Sequence, residues 1–130
     1  VRSLNNPRIY EGLLEDCPVD DEGCVSAPGY LSGNGDLFVK LLVHIPQEAN
    51  LRAELKSVTK LNLHRTQISD VTPLKDLTQL TELRLSSNQI SDVTPLKDLT
   101  QLTELNLWGN QISESDIKHL QEALPECEIN

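Results

Sequence analysis

The hydrophobic pattern of residues 58–112 changes phase on a fixed schedule. In TELRLSS (81–87) apolar and polar residues alternate, so Leu83 and Leu85 point one way and Glu82, Arg84 and Ser86 the other. That alternation predicts a half-buried strand. The next stretch, NQISDVTPL (88–96), contains Asn, Ser, Asp and Pro. It cannot be a long helix and predicts a turn with a short 3₁₀-like return. Leu74 and Leu77, and again Leu96 and Leu99, keep a spacing of three and predict core positions. The schedule repeats every 22 residues, with units starting at Val58, Leu80 and Leu102, and residues 67–83 match residues 89–105 at all 17 positions. One unit cannot bury these leucines. Units stacked side by side can, each supplying one strand to a parallel sheet.

The flanking segments follow other patterns. In NPRIYEGLLED (6–16), Asn6 as N-cap and Pro7 in the first turn predict a helix. Residues 17–36 read as loop. Leu37, Val39, Leu41, Val43 and Ile45 alternate and predict a strand, with a helix as the alternative because Lys40 and His44 would share a stripe. PQEANLRAELKS (46–57) predicts a helix capping the first unit with Leu51 and Leu55. At the other end, Ser115 is expected to cap a helix that buries Ile117, Leu120 and Leu124. Pro125 stops it, and a strand-like return follows. The expected organisation is therefore a non-repeat segment 1–45 packed on or before the array, a capping helix 46–57, repeats 58–112 and a C-terminal cap 113–130.

Each unit opens with the pattern LxxLxLxxNxI, in which Val58 and Thr66 are the substitutions of the first unit. This pattern resembles the leucine-rich repeat family, and the SDVTPLKDLTQL half resembles the short 22-residue class of bacterial internalins. The resemblance implies an α/β fold: a short solenoid with a parallel sheet on its concave face, an irregular or 3₁₀ convex face, and helical caps. It also implies a ladder between successive turns at Asn88 and Asn110. The chemistry agrees, because an Asn side chain donates and accepts at once where the turning backbone lacks partners. Thr66 in that place marks the first unit as the expected start of the array.

Composition narrows the functional classes. The formal net charge of −9 argues against a nucleic-acid partner, which needs a cationic face, and against an anionic membrane surface. No apolar run reaches the roughly 20 residues of a membrane span; Leu37–Ile45 is interrupted by Lys40 and His44. The chain contains no Met and no visible signal peptide, which suggests a processed protein or an excised fragment. Cys17 and Cys24 flank CPVDDEGC and are placed to close a disulfide in an oxidising compartment, which would favour the cell surface or exterior; Cys127 is left over. With no CxxC pair, no clustered His, no calcium-loop spacing in DDEG or SGNGD and no phosphate-binding glycine motif, neither metal nor cofactor is expected. Ser115, Asp116, His119 and Cys127 read as cap residues, so no enzymatic activity is expected.

The outward strand positions are where the copies differ: NLHRT, RLSSN and NLWGN. A partner-binding face is expected from Trp108, Arg84, His64, Asn62, Asn106, Glu82 and Glu104. Trp and Arg are enriched at interface hot spots. Each has a plainer alternative. Trp108 can cover the edge between the last repeat and its cap, Arg84 can pair with Glu82 or Glu104, and His64 can be a solvated strand residue. The leading expectation is a module that binds a protein through its concave face. The alternatives are a spacer or fragment of a larger bacterial surface or secreted protein, and a glycan or small-ligand binder with Trp108 as a stacking platform. The acidic loop carrying Asp20, Asp21 and Glu22 is a rival site for a basic partner.

Overall fold

The computed structural model describes residues 7–130 and lays the repeats side by side. Five parallel strands form one sheet in chain order: β1 (Cys24–Ser26), β2 (Lys60–Asn62), β3 (Glu82–Arg84), β4 (Glu104–Asn106) and β5 (Glu128–Ile129). Leu61, Leu83 and Leu105 stand opposite one another and point into the core. The chain then turns and returns through 3₁₀ helices at Thr72–Asp76 and Thr94–Asp98. Pro73 and Pro95 sit in the first turn of these, where a missing N–H leaves nothing unpaired, and Leu74 and Leu96 are buried. Asp70 and Asp92 accept the N–H groups of Thr72 and Thr94 at 2.9 Å each. The hydroxyl and N–H of Thr72, and the N–H and hydroxyl of Thr94, hold these carboxyls below their usual range. The fold is thus an α/β solenoid with a parallel sheet on one face and 3₁₀ helices on the other.

The array begins one turn earlier than expected. Val25 of β1 pairs with Leu61 of β2, so the first turn spans 36 residues where Leu61 to Leu83 spans 22. The extra length is taken up by α2 (Gly35–Val43), which occupies the position of a 3₁₀ return and packs on Thr72–Asp76. The strand expected over 37–45 is therefore a helix. Asn34 caps it by accepting the Leu37 N–H at 3.3 Å, and Phe38, Val39, Leu41 and Leu42 are buried. A run this apolar satisfies both periods, and the cap decides between them.

Thr66 accordingly does not mark the start of the stack. Its hydroxyl donates to Leu63 O at 2.7 Å, and its carbonyl accepts the Gly35 N–H at 2.7 Å. Gly35 is pressed against this turn: a Cβ there would lie 2.4 Å from Ile68 Cγ1, 2.6 Å from Thr66 Oγ1 and 2.9 Å from Thr66 O. Gly35→Ala is expected to destabilise the fold by about 2 kcal/mol, because the helix must move off the first repeat. A thermal midpoint equal to wild type would show that this contact does not seat α2.

The residues before the array close its first edge. Val19 bridges Val25 antiparallel, the Asp20 N–H donates to Cys24 O, and the Ser26 N–H donates to Pro18 O. Cys17, Cys24 and Cys127 are buried free thiols, so the expected Cys17–Cys24 bridge is not formed. Cys17 Sγ instead donates to Ser26 O at 2.8 Å, and burial pushes its thiol up to about 12. Helix α1 (Pro7–Leu14) buries Tyr10 and Leu14; its expected cap, Asn6, lies outside the described residues. The helix expected over 46–57 is one turn, α3 (Ala53–Lys56), because Arg52 is extended. Leu55 is buried and Leu51 only partly so. The stretch before α3 is tied down by other means. Glu11 accepts the Asn50 N–H at 2.8 Å, and the Arg52 guanidinium donates to Cys17 O.

At the far end α4 (Glu114–Ala123) is capped by Ser113, whose Oγ accepts the Asp116 N–H at 3.1 Å; Ser115, the expected cap, lies within the helix. Leu120 and Leu124 are buried, Ile117 partly, and β5 pairs with β4. No helix among the described residues is long and apolar enough to cross a membrane.

Candidate functional site

The open sheet face is built from strand residues that cannot point inward. Along each strand the leucine goes to the core, and its two neighbours go to solvent. Register aligns the outward residues in columns: Lys60, Glu82, Glu104 and Glu128 in one, Asn62, Arg84 and Asn106 in the next. Beyond the strands the ladder continues into the turn, with the Arg65 N–H donating to Ser86 O and the Ser87 N–H to Trp108 O. A third row follows, made of His64, Ser86 and Trp108.

The third row is unequal. Ser86, expected on the exposed face, is only 8% exposed, and its Oγ lies 2.6 Å from His64 Nδ1. Trp108 is 71% exposed. Its indole therefore covers little of the core, while its backbone is held on both sides: its N–H donates to Asn106 Oδ1 at 3.0 Å and its carbonyl takes the Ser87 N–H at 2.8 Å. Asn62 accepts the His64 N–H in the same way at 3.1 Å. These two asparagines thus end their strands in addition to facing outward.

The next residue of each turn, Arg65, Ser87 and Gly109, has positive φ. Gly109 is the unstrained version. A Cβ there would come within 3.1 Å of Ser87 Oγ and 3.2 Å of its backbone.

Behind this face lies the amide ladder. Asn88 is 8% exposed. Its Oδ1 accepts the N–H groups of Thr66 and Ile68 at 3.0 and 3.1 Å, and its Nδ2 donates to Leu63 O and Leu85 O at 2.9 Å each. Asn110 accepts the Ile90 N–H at 3.0 Å and donates to Leu85 O and Leu107 O at 2.8 and 2.9 Å. Each side chain spans two successive turns.

The charges pair differently from expectation. Lys60 Nζ lies 3.9 Å from Glu82 Oε1, and Arg84 makes no ion pair with Glu82 or Glu104. Asp20, in the acidic loop, is held below the usual carboxylate range by the Cys24 and Glu22 N–H groups, with the charges of Arg84 and Lys60 adding to the effect. Its carboxylate is thus engaged within its own loop, at 2.9 Å from each of those nitrogens. No cluster of metal-ligating side chains occurs among the described residues. A depression of about 100 Å³ lies on the face, lined in part by Glu82, Arg84, Glu104, Asn106 and Asn130. Small-molecule sites enclose about 300 Å³ or more.

A stacked array with a laddered turn and an open strand face defines a repeat solenoid. Two overlapping matches to the family model for leucine-rich repeats in two copies, over residues 56–98 and 78–122, together cover just over half of the chain. The chain belongs to the leucine-rich repeat family, and its repeats are of the short internalin-like class. Members of this family typically mediate protein–protein interaction.

The internalin inlF of Listeria monocytogenes is 39% identical over 59% of this chain and 22% of its own, with a TM-score of 0.53. A leucine-rich repeat protein of Leptospira interrogans is 28% identical over 59% of this chain and 20% of its own, also at 0.53. The chain thus spans about a fifth of the length of these two proteins. The leucine-rich repeat domain of Mex67 from Chaetomium thermophilum covers 95% of this chain and 90% of its own at a TM-score of 0.62, but at 15% identity it is a likeness of fold alone. No curated protein sequence matches the chain.

Proposed function

We propose that this chain is a protein-binding module whose partner docks on the open sheet face. Trp108 forms the centre, with Arg84, His64, Asn62, Asn106, Glu82 and Glu104 around it. The observation that carries this reading is the Trp108 indole, 71% exposed on a backbone fixed at both its N–H and its carbonyl. A side chain that sealed the cap would be buried. An exposed aromatic on a fixed backbone offers a large contact area with only two side-chain torsions to order. The sheet has five strands, so the strip is about 19 Å across. It still falls short of the roughly 800 Å² per partner of a standard interface, so the partner also uses neighbouring turns. The depression is smaller than small-molecule sites and is not lined by Trp108, so it speaks against a pocketed ligand and leaves stacking of a glycan on Trp108 as a separate reading.

A spacer role is the second reading, supported by the short share of inlF that the chain covers. Affinity capture with wild type and Trp108→Ala separates the two. Trp108→Ala is expected to weaken partner binding by at least about 2 kcal/mol and to leave the thermal midpoint unchanged. Equal capture by both proteins would move the site off the face. Release by salt in that case would point to the acidic loop, whose exposed charges are screened. No specific capture by either protein would favour the spacer.

A further inference from the structure

Charge is distributed unevenly over the open face. On the side of β2 and β3, cations and anions offset one another: Lys60 lies against Glu82, and Arg84 and Lys60 act on the carboxylate of Asp20. On the side of β4 and β5 they do not. Glu104 and Glu128 face each other in register, both exposed, and neither forms an ion pair among the described residues. Like charges directly opposite in a sheet are unfavourable, and no ion pair among the described residues offsets this one. Burial first, and these two carboxylates second, push the Cys127 thiol up, which places their negative field at this end of the sheet. Trp108 stands on the same end and the same face, four residues after Glu104. Strand β4 ends at Asn106 and Trp108 lies in the turn just beyond, so the separation is at most about 13 Å.

Resting on the concave-face reading above, we propose that the partner presents a basic extended segment. One of its lysine or arginine side chains sits between Glu104 and Glu128. A large apolar side chain four residues away lies against the Trp108 indole. An extended partner segment spans about 13 Å between i and i+4 and keeps both side chains on one side, so it can reach both anchors together. The division of labour follows from the magnitudes. Exposed ion pairs contribute little affinity each, whereas a desolvated Trp contributes much. The glutamates therefore select for a cation and speed encounter, helped by the net charge of −9, and Trp108 slows release.

The test is selection of a phage-displayed library of short random peptides on the whole chain, followed by fluorescence anisotropy with the selected peptides. The expected peptides carry Lys or Arg four positions from Leu, Ile, Phe or Trp. The Glu104→Gln/Glu128→Gln double variant is expected to bind them about tenfold more weakly, with a thermal midpoint equal to wild type or higher. Trp108→Ala is expected to weaken the same peptides at least as much. Peptides that need Trp108 but lack basic residues, or that ignore the double variant, would overturn this inference and leave the concave-face reading standing. Peptides indifferent to both sets of changes would overturn both, as would a selection that enriches nothing.

Discussion

Removal of residues 113–130 is expected to abolish cooperative unfolding. A solenoid buries each turn only against its neighbours, so its last turn depends on a cap. Here the cap acts in two places. Helix α4 packs on the 3₁₀ helix Thr94–Asp98 and contributes buried Leu120, and Leu124 is buried just past its end. Strand β5 pairs with β4, and Asn130 O accepts the Leu107 N–H at 2.7 Å. The cap is itself tied together by Gln121, whose Nε2 donates to Leu124 O at 3.0 Å and to Cys127 O at 2.9 Å. Without it Leu102, Leu105 and Leu107 lose their cover. Burial of a leucine side chain contributes about 1.5–3 kcal/mol, and whole domains are stable by only about 5–15 kcal/mol. Three such losses approach the total. Circular dichroism on heating, with size-exclusion chromatography beforehand, decides it. A soluble monomer with a sharp transition would show that the last turn does not need its cap.

Asn88→Ala is expected to be the most damaging single substitution, at about 3 kcal/mol or more. One side chain satisfies two N–H groups and two carbonyls belonging to two turns, and no solvent reaches them. Each buried group left unpaired costs about 1–3 kcal/mol. Ser86→Ala, two residues away in the same turn, removes a single bond whose other partner, His64, is exposed and can turn to water. Its expected cost is about 1 kcal/mol. That is larger than an exposed serine would give, because Ser86 is buried beneath His64. Urea unfolding of the two variants, compared at unchanged slope, measures the difference. Coincident midpoints would mean that the amide ladder does not hold the turns together.

The repeats were legible because their letters are redundant. Leu61, Leu83 and Leu105 occupy the same inward position three times, and Asn88 and Asn110 the same turn position twice, so period and phase agree at every level. The first turn was not, for reasons that can be named. Strand β1 is three residues long, sits in a stretch of Gly, Pro and acids, and lies 36 residues before its partner. Nothing at a 22-residue offset points to it. In α2 the alternation of Leu37, Val39, Leu41, Val43 and Ile45 concealed the contiguous apolar set Phe38, Val39, Leu41 and Leu42, and the cap at Asn34 was the overlooked signal. The missing asparagine at Thr66 points to a start of the array, whereas β1 adds one strand before it. Gly35 of the preceding turn approaches Thr66 there and donates its N–H to the Thr66 carbonyl at 2.7 Å. Of the face residues, the outward direction followed from alternation alone. The His64–Ser86 contact and the pairing of Lys60 with Glu82 depend on rotamers and neighbouring columns, which periodicity does not encode.

The identity of residues 67–83 and 89–105 means that two successive units share the same return and the same following strand. A further copy of the 22-residue unit inserted at Leu102 would meet the same leucines below and present the same leucines above. It would carry the C-terminal cap outward by one strand spacing, about 4.8 Å, with an adjustment only where a serine would replace Gly109 against Ser87. Unequal recombination between near-identical coding segments produces such insertions in whole units. The breadth of the surface is then a heritable length, lengthened or shortened in steps, while residues such as Trp108 at the growing end travel with the cap and keep their distance from it.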